Sequence, residues 1–151
     1  MDLQIEDFYK DVAGGLLMLY QAFPRKTALY VEDLIGHEEP DEFGLPSKRH
    51  QGCLGALLWL AEEGYVRFES TIQLQAIDQA VLTEKAFLRL TGSVAGTEIG
   101  ADDLPPSVLR VQASLAQQLR EALRNGHGEQ LARLVRVLFE SQLSTAPEQT
   151  T

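Results

Sequence analysis

The stretch SKRHQGCLGALLWLAEEGYVRFESTIQLQAIDQAVLTEKAFLRL, residues 47–90, holds a helix, a stop, two strands and a new helix start in that order. Ser47 stands where an N-cap belongs, and Lys48, Arg49, His50 and Gln51 fill the first turn of a helix that runs to Glu63. Leu54, Leu57, Leu58 and Ala61 form its buried face, and Gly64 supplies the left-handed stop. Val66 and Phe68 alternate with Tyr65 and Arg67, as in a strand with one covered face. A second strand near 79–82 pairs back across the polar tip ESTIQLQAID. Ile72, Leu74, Ala76 and Ile77 also alternate in part, so the tip reads either as a loop or as a longer hairpin. Thr83 caps a fourth helix whose Ala86, Phe87 and Leu90 face inward.

Upstream, Ile5, Phe8, Val12, Leu16, Leu19, Tyr20 and Phe23 recur at steps of three and four, which predicts a helix over 3–23. Gly14 and Gly15 interrupt it at a cost of ~1 kcal/mol each relative to Ala, which points to a close crossing with a neighbouring helix. Pro24 ends it. TALYVEDLI, residues 27–35, reads as a short extended piece and then a short helix of about two turns. HEEPDEFGLP, residues 37–46, is a polar connection punctuated by Pro and Gly.

The succession of helix, extended piece, helix, helix and β-hairpin over about residues 3–83 resembles the winged helix-turn-helix superfamily of bacterial regulators, without pointing to a subfamily. LAEEGYVRF followed by QAVLTEKAFLRL is similar to the passage from recognition helix across the wing into the next helix. The resemblance covers a little over half the chain. It implies DNA binding through the helix at 47–63, with Ser47, Lys48, Arg49, His50 and Gln51 at the groove end. Arg67 would lie on the first wing strand, and Arg25 with Lys26 at the turn after the first helix would touch phosphate. Dimerisation through helices outside the winged module is implied as well.

Downstream, GSVAGTEIGADDLPPS has the composition of a linker. Val108, Val111, Leu115, Leu119, Ala122 and Leu123 then make one amphipathic helix, the NGHG turn follows, and Leu131, Leu134, Val135 and Leu138 make another. The expected fold is mainly α (α+β): a winged helix domain over 1–92 with a small β-hairpin wing, a linker at 93–106, an αα-hairpin at 107–143 and a flexible tail at 144–151. A two-helix appendage cannot bury both its stripes alone, so it packs on the winged module or on a second chain, and a homodimer through these helices is expected.

Of 151 residues, 44% are hydrophobic and 23% charged, ordinary values for a globular protein. The longest apolar run, 53–61, is far short of the ~20 residues that span a bilayer, so no membrane association is expected. Acidic residues near the N-terminus do not fit a secretory signal, which leaves a cytoplasmic location. Cys53, the only cysteine, lies among leucines and reads as a small buried residue. His37 with Glu38, Glu39, Asp41 and Glu42 lacks helical ligand spacing and reads as a charged turn, as do His127 in its GHG context and Asp102–Asp103 before a Pro pair. No phosphate loop or nucleophile constellation is visible, so neither an enzyme nor a cofactor is expected. Trp59 and Tyr65 admit a ligand pocket, though packing is the simpler reading.

The charge divides the functional readings. The net charge is −9, and residues 1–95 carry eight Lys/Arg against fifteen Asp/Glu. The wing tip at 69–78 has no cation, and 37–42 place four carboxylates just before the recognition helix. Phosphate binding requires concentrated cations. One reading is a homodimeric DNA-binding transcriptional regulator using SKRHQ. The alternative is an acidic winged helix that serves as a protein-interaction or assembly module and binds no DNA.

Overall fold

The computed structural model describes residues 2–94 and 105–140, a mixed α+β arrangement of seven helices and a small antiparallel sheet among those residues. The order is α1 (Leu3–Ala22), β1 (Thr27–Tyr30), α2 (Val31–Ile35), α3 (Lys48–Glu62), β2 (Val66–Arg67), β3 (Ser70–Ile72), β4 (Ala76–Leu82), α4 (Glu84–Thr91), α5 (Pro106–Ala113), α6 (Leu115–Asn125) and α7 (Gly128–Glu140). The local signals act where the spacing predicts them. Ser47 Oγ accepts the backbone N–H of His50 at 3.0 Å, and Thr83 Oγ1 accepts that of Ala86 at 3.3 Å. Gly64 has φ +83°, the left-handed geometry that lets the chain leave α3 for β2.

The strands join antiparallel in the order β1–β4–β2, with β3 also on β4. Thr71 faces Ile77 and Ile72 faces Ala76 across a three-residue turn, so the tip is a paired hairpin rather than a loop. Gln73 in that turn has φ +52°.

α1 runs through the middle of the core and packs on α2, α3, α6, α7, β1 and β4. Its Gly15 is where the close approach occurs: a Cβ there would lie 2.9 Å from Leu57 Cδ2 of α3. Helices can cross this tightly only where one side chain is missing. Trp59 belongs to an aromatic cluster, with Phe8 of α1 and Phe139 of α7 each at 5.3 Å between centroids, and Tyr65 is also 5.3 Å from Phe139. That accounts for both aromatics by packing.

Two expectations change. α2 has five residues, not two full turns. The single helix expected across 108–123 is two, because Ser114 Oγ caps α6 at Gln117 N while Leu115 N donates to Gly92 O at 2.8 Å. Those bonds turn the chain where its apolar period continues unbroken. Of the two packings expected for the C-terminal hairpin, the one on its own chain is present. Leu119, Leu131, Leu134, Val135 and Leu138 are buried in the same core cluster as α1 and α4. Arg89 of α4 fastens the end of α7, its Nη1 donating to the carbonyls of Leu138 at 2.9 Å and Phe139 at 3.3 Å. The stripes of α6 and α7 are therefore largely covered within one chain, while Val108 and Val111 of α5 stay exposed. Most of the linker expected at 93–106 lies outside the described residues, as does the tail at 144–151.

Candidate functional site

The five residues expected at a DNA groove open α3, and the fold assigns most of their polar atoms elsewhere. Arg49 turns back to α1, where Nη1 and Nη2 each donate to a different oxygen of Asp11 at 2.7 Å. Asp7 Oδ2 adds a contact to Nε at 3.5 Å. Asp11 is only 3% exposed, so this is a fork-to-fork pair at the edge of the core, and the hydrogen bond to Asp11 raises the Arg49 pKa further above its ordinary value. His50 is buried, with Nε2 at 2.6 Å from the carbonyl of Leu74 in the β3–β4 turn. A carbonyl only accepts, so Nε2 carries the hydrogen. Gln51 is exposed and its Nε2 donates to Pro46 O at 2.8 Å. Ser47 is occupied by its cap. Lys48 alone of the five presents its charge to solvent with no partner among the described residues.

The remaining candidate cations lie outside α3, at the turn after α1 and on β2. Lys26 pairs with Glu69 at 3.2 Å across the surface, an exposed contact worth ~0–1 kcal/mol. Arg25 is exposed after α1, and Arg67 is exposed on β2. Sequence reasoning missed Asp11, one more acid in an acidic helix until α1 and α3 cross.

A second feature adjoins the same turn. A cavity of about 250 Å³ opens between the 37–46 connection, the start of α3 and the β3–β4 turn, with Glu32, His37, Glu38, His50 and Leu74 in its lining. His37 bridges Glu32 at 3.1 Å and Glu39 at 2.9 Å, and those bonds raise its pKa. Among the described residues no group of three His, Cys, Asp or Glu is disposed to hold a metal. Cys53 is wholly buried, and burial pushes its thiol up to about 12, the opposite of what a nucleophile needs. Among the described helices none is long and apolar enough to cross a membrane. In comparison with known proteins, no family model, curated protein or solved structure matches the chain.

Proposed function

We propose that the chain is an acidic winged helix used to dock another protein, with α3 serving as a structural helix instead of a reader of DNA. The winged reading is supported by the succession α1–β1–α2–α3–β2–β4 with β4 between β1 and β2. The observation that carries the functional part is the Arg49–Asp11 pair. The one arginine at the groove end of α3 is held by a buried carboxylate of α1, so releasing it for a phosphate or a guanine edge would strand that carboxylate. His50, on the Leu74 carbonyl, is similarly committed. The surrounding charge is negative, which repels a polyanion and attracts basic partners. The proposal needs neither a cofactor nor a second copy of the chain.

The regulator reading has one observation in its favour. Lys48, Arg25 and Arg67 are exposed and would add electrostatic contacts if they converge on one duplex. Electrophoretic retention of mixed-sequence duplex DNA between ~20 and ~200 mM salt separates the two. The docking reading predicts no retention at any salt. Retention that weakens steeply with salt and disappears in Lys48→Ala would reverse the assignment.

A further inference from the structure

We propose that the cavity beside the β3–β4 turn, with its exposed apolar rim, receives a basic partner segment carrying one apolar anchor residue. This rests on the docking reading above and names its surface.

Three apolar side chains stand out in this region. Phe43 is 80% exposed, Leu45 55% and Leu74 54%. Phe43 and Leu45 flank Gly44, which lines the same cavity as Leu74. They are held out by a built turn: Asp41 Oδ1 accepts the N–H of Phe43 at 2.9 Å and of Leu45 at 2.8 Å, while Asp41 N donates to Leu45 O at 2.9 Å. The opposite wall is fixed too, because His50 Nε2 donates to the Leu74 carbonyl. Gln73, also in the lining, keeps a left-handed φ of +52° that favours glycine. Apolar groups clustered on a prepared surface around a concavity are what an anchor residue inserts into.

Charge names the occupant. Residues 27–47 contain Glu32, Asp33, Glu38, Glu39, Asp41 and Glu42 and no Lys or Arg. The strand–turn segment 69–78, whose Gln73, Leu74 and Gln75 line the cavity, adds Glu69 and Asp78 and again no Lys or Arg. The other charged groups nearby are His37, held between Glu32 and Glu39, Lys26, paired with Glu69, and the exposed Lys48 at the start of α3, so the carboxylates stay in excess. A carboxylate excess of this kind disfavours nucleic acid and anionic lipid, and an isologous contact with a second copy would set Glu32 and Glu38 of the lining against the same acids. A Lys/Arg-rich segment with a Leu, Phe or Trp at its centre satisfies both the rim and the field.

The test is selection of a displayed library of random 12-residue peptides on the full chain, with affinities of the winners measured by fluorescence anisotropy. The expected winners carry net positive charge and an apolar anchor. They should weaken at least tenfold on Phe43→Ser or Leu74→Ser, by less than twofold on the equally exposed Val111→Ser, and with rising salt. Both rim residues are exposed, so thermal melts should stay within ~2 °C of wild type and keep a folding defect out of the result. Neutral or acidic winners, indifference to Phe43→Ser, or no enrichment would overturn the surface. So would a sedimenting dimer that Phe43→Ser abolishes, which assigns the rim to a second copy. Each of these leaves the docking reading standing if DNA is not retained, whereas salt-dependent DNA retention removes that reading first.

Discussion

Arg49 decides more than any other side chain, and its role is open to direct measurement. Arg49→Ala should cost ~3 kcal/mol in urea unfolding, because Asp11 would remain nearly buried with neither of its 2.7 Å donors. Replacing both partners, as in Asp11→Leu with Arg49→Met, should restore most of that loss, since the apolar pair leaves no unpaired charge behind. A residue waiting for DNA would show the reverse, with little effect on stability from either change. Cys53 gives a pH signature. Its folded pKa is raised by burial from 9.0 to about 12, so the folded state keeps a proton the unfolded chain releases. The stabilisation is complete below pH 9 and is lost as pH climbs from 9 towards 12, which Cys53→Ala should flatten in equilibrium unfolding at high pH. Under native conditions at pH 8 the thiol should resist Ellman's reagent and react at once in denaturant.

At the scale of elements, the two helices α1 and α3 carry glycines of opposite meaning. Gly15→Ala should destabilise by ~1 kcal/mol or more despite the gain in helix propensity, because the new methyl meets the fully buried Leu57 at 2.9 Å. Gly55→Ala on α3 meets nothing within 4 Å and should stabilise by ~0.5–1 kcal/mol. Thermal melts of the two variants should therefore move in opposite directions. The crossing at Gly14–Gly15 was legible in advance because a helix tolerates two glycines only for a packing reason. The caps at Ser47 and Thr83 and the stop at Gly64 were legible because each acts on backbone groups within three residues. The break at Ser114 was hidden although its cap is local, since the apolar period runs on through it and the bond that fixes the turn reaches Gly92, far upstream in sequence. The commitments of the candidate site were hidden for the same reason. Arg49 finds Asp11 across 38 residues and His50 finds Leu74 across 24, and no local period announces either.

Over the whole molecule, the C-terminal hairpin is part of the same core as the sheet and not an appendage. With the apolar faces of α6 and α7 packed on α1 and α4, sedimentation should return a monomer near 16.7 kDa. Arg89→Ala should loosen the hairpin first: amide exchange in α7 should accelerate well before that in β4, since the α7 carbonyls lose their only side-chain donor among the described residues. A rigid body of this kind suits the proposed docking role, because the Phe43 rim and the β3–β4 turn stay preorganised instead of being ordered at the moment of contact.

The embrace of α1 by α7 also has a cost in time. Tyr9 and Arg136 meet at 3.3 Å although 127 residues separate them, and Phe8 packs against Phe139. At ~5–20 residues per second of synthesis, the side of α1 that meets α7 waits about 6–25 s for α7 to be made. Through that interval α2, α3, β1 and β4 can cover only their own side of α1, so the side that meets α6 and α7 stays bare and the yield in the cell should depend on whatever guards it at the ribosome until α7 emerges.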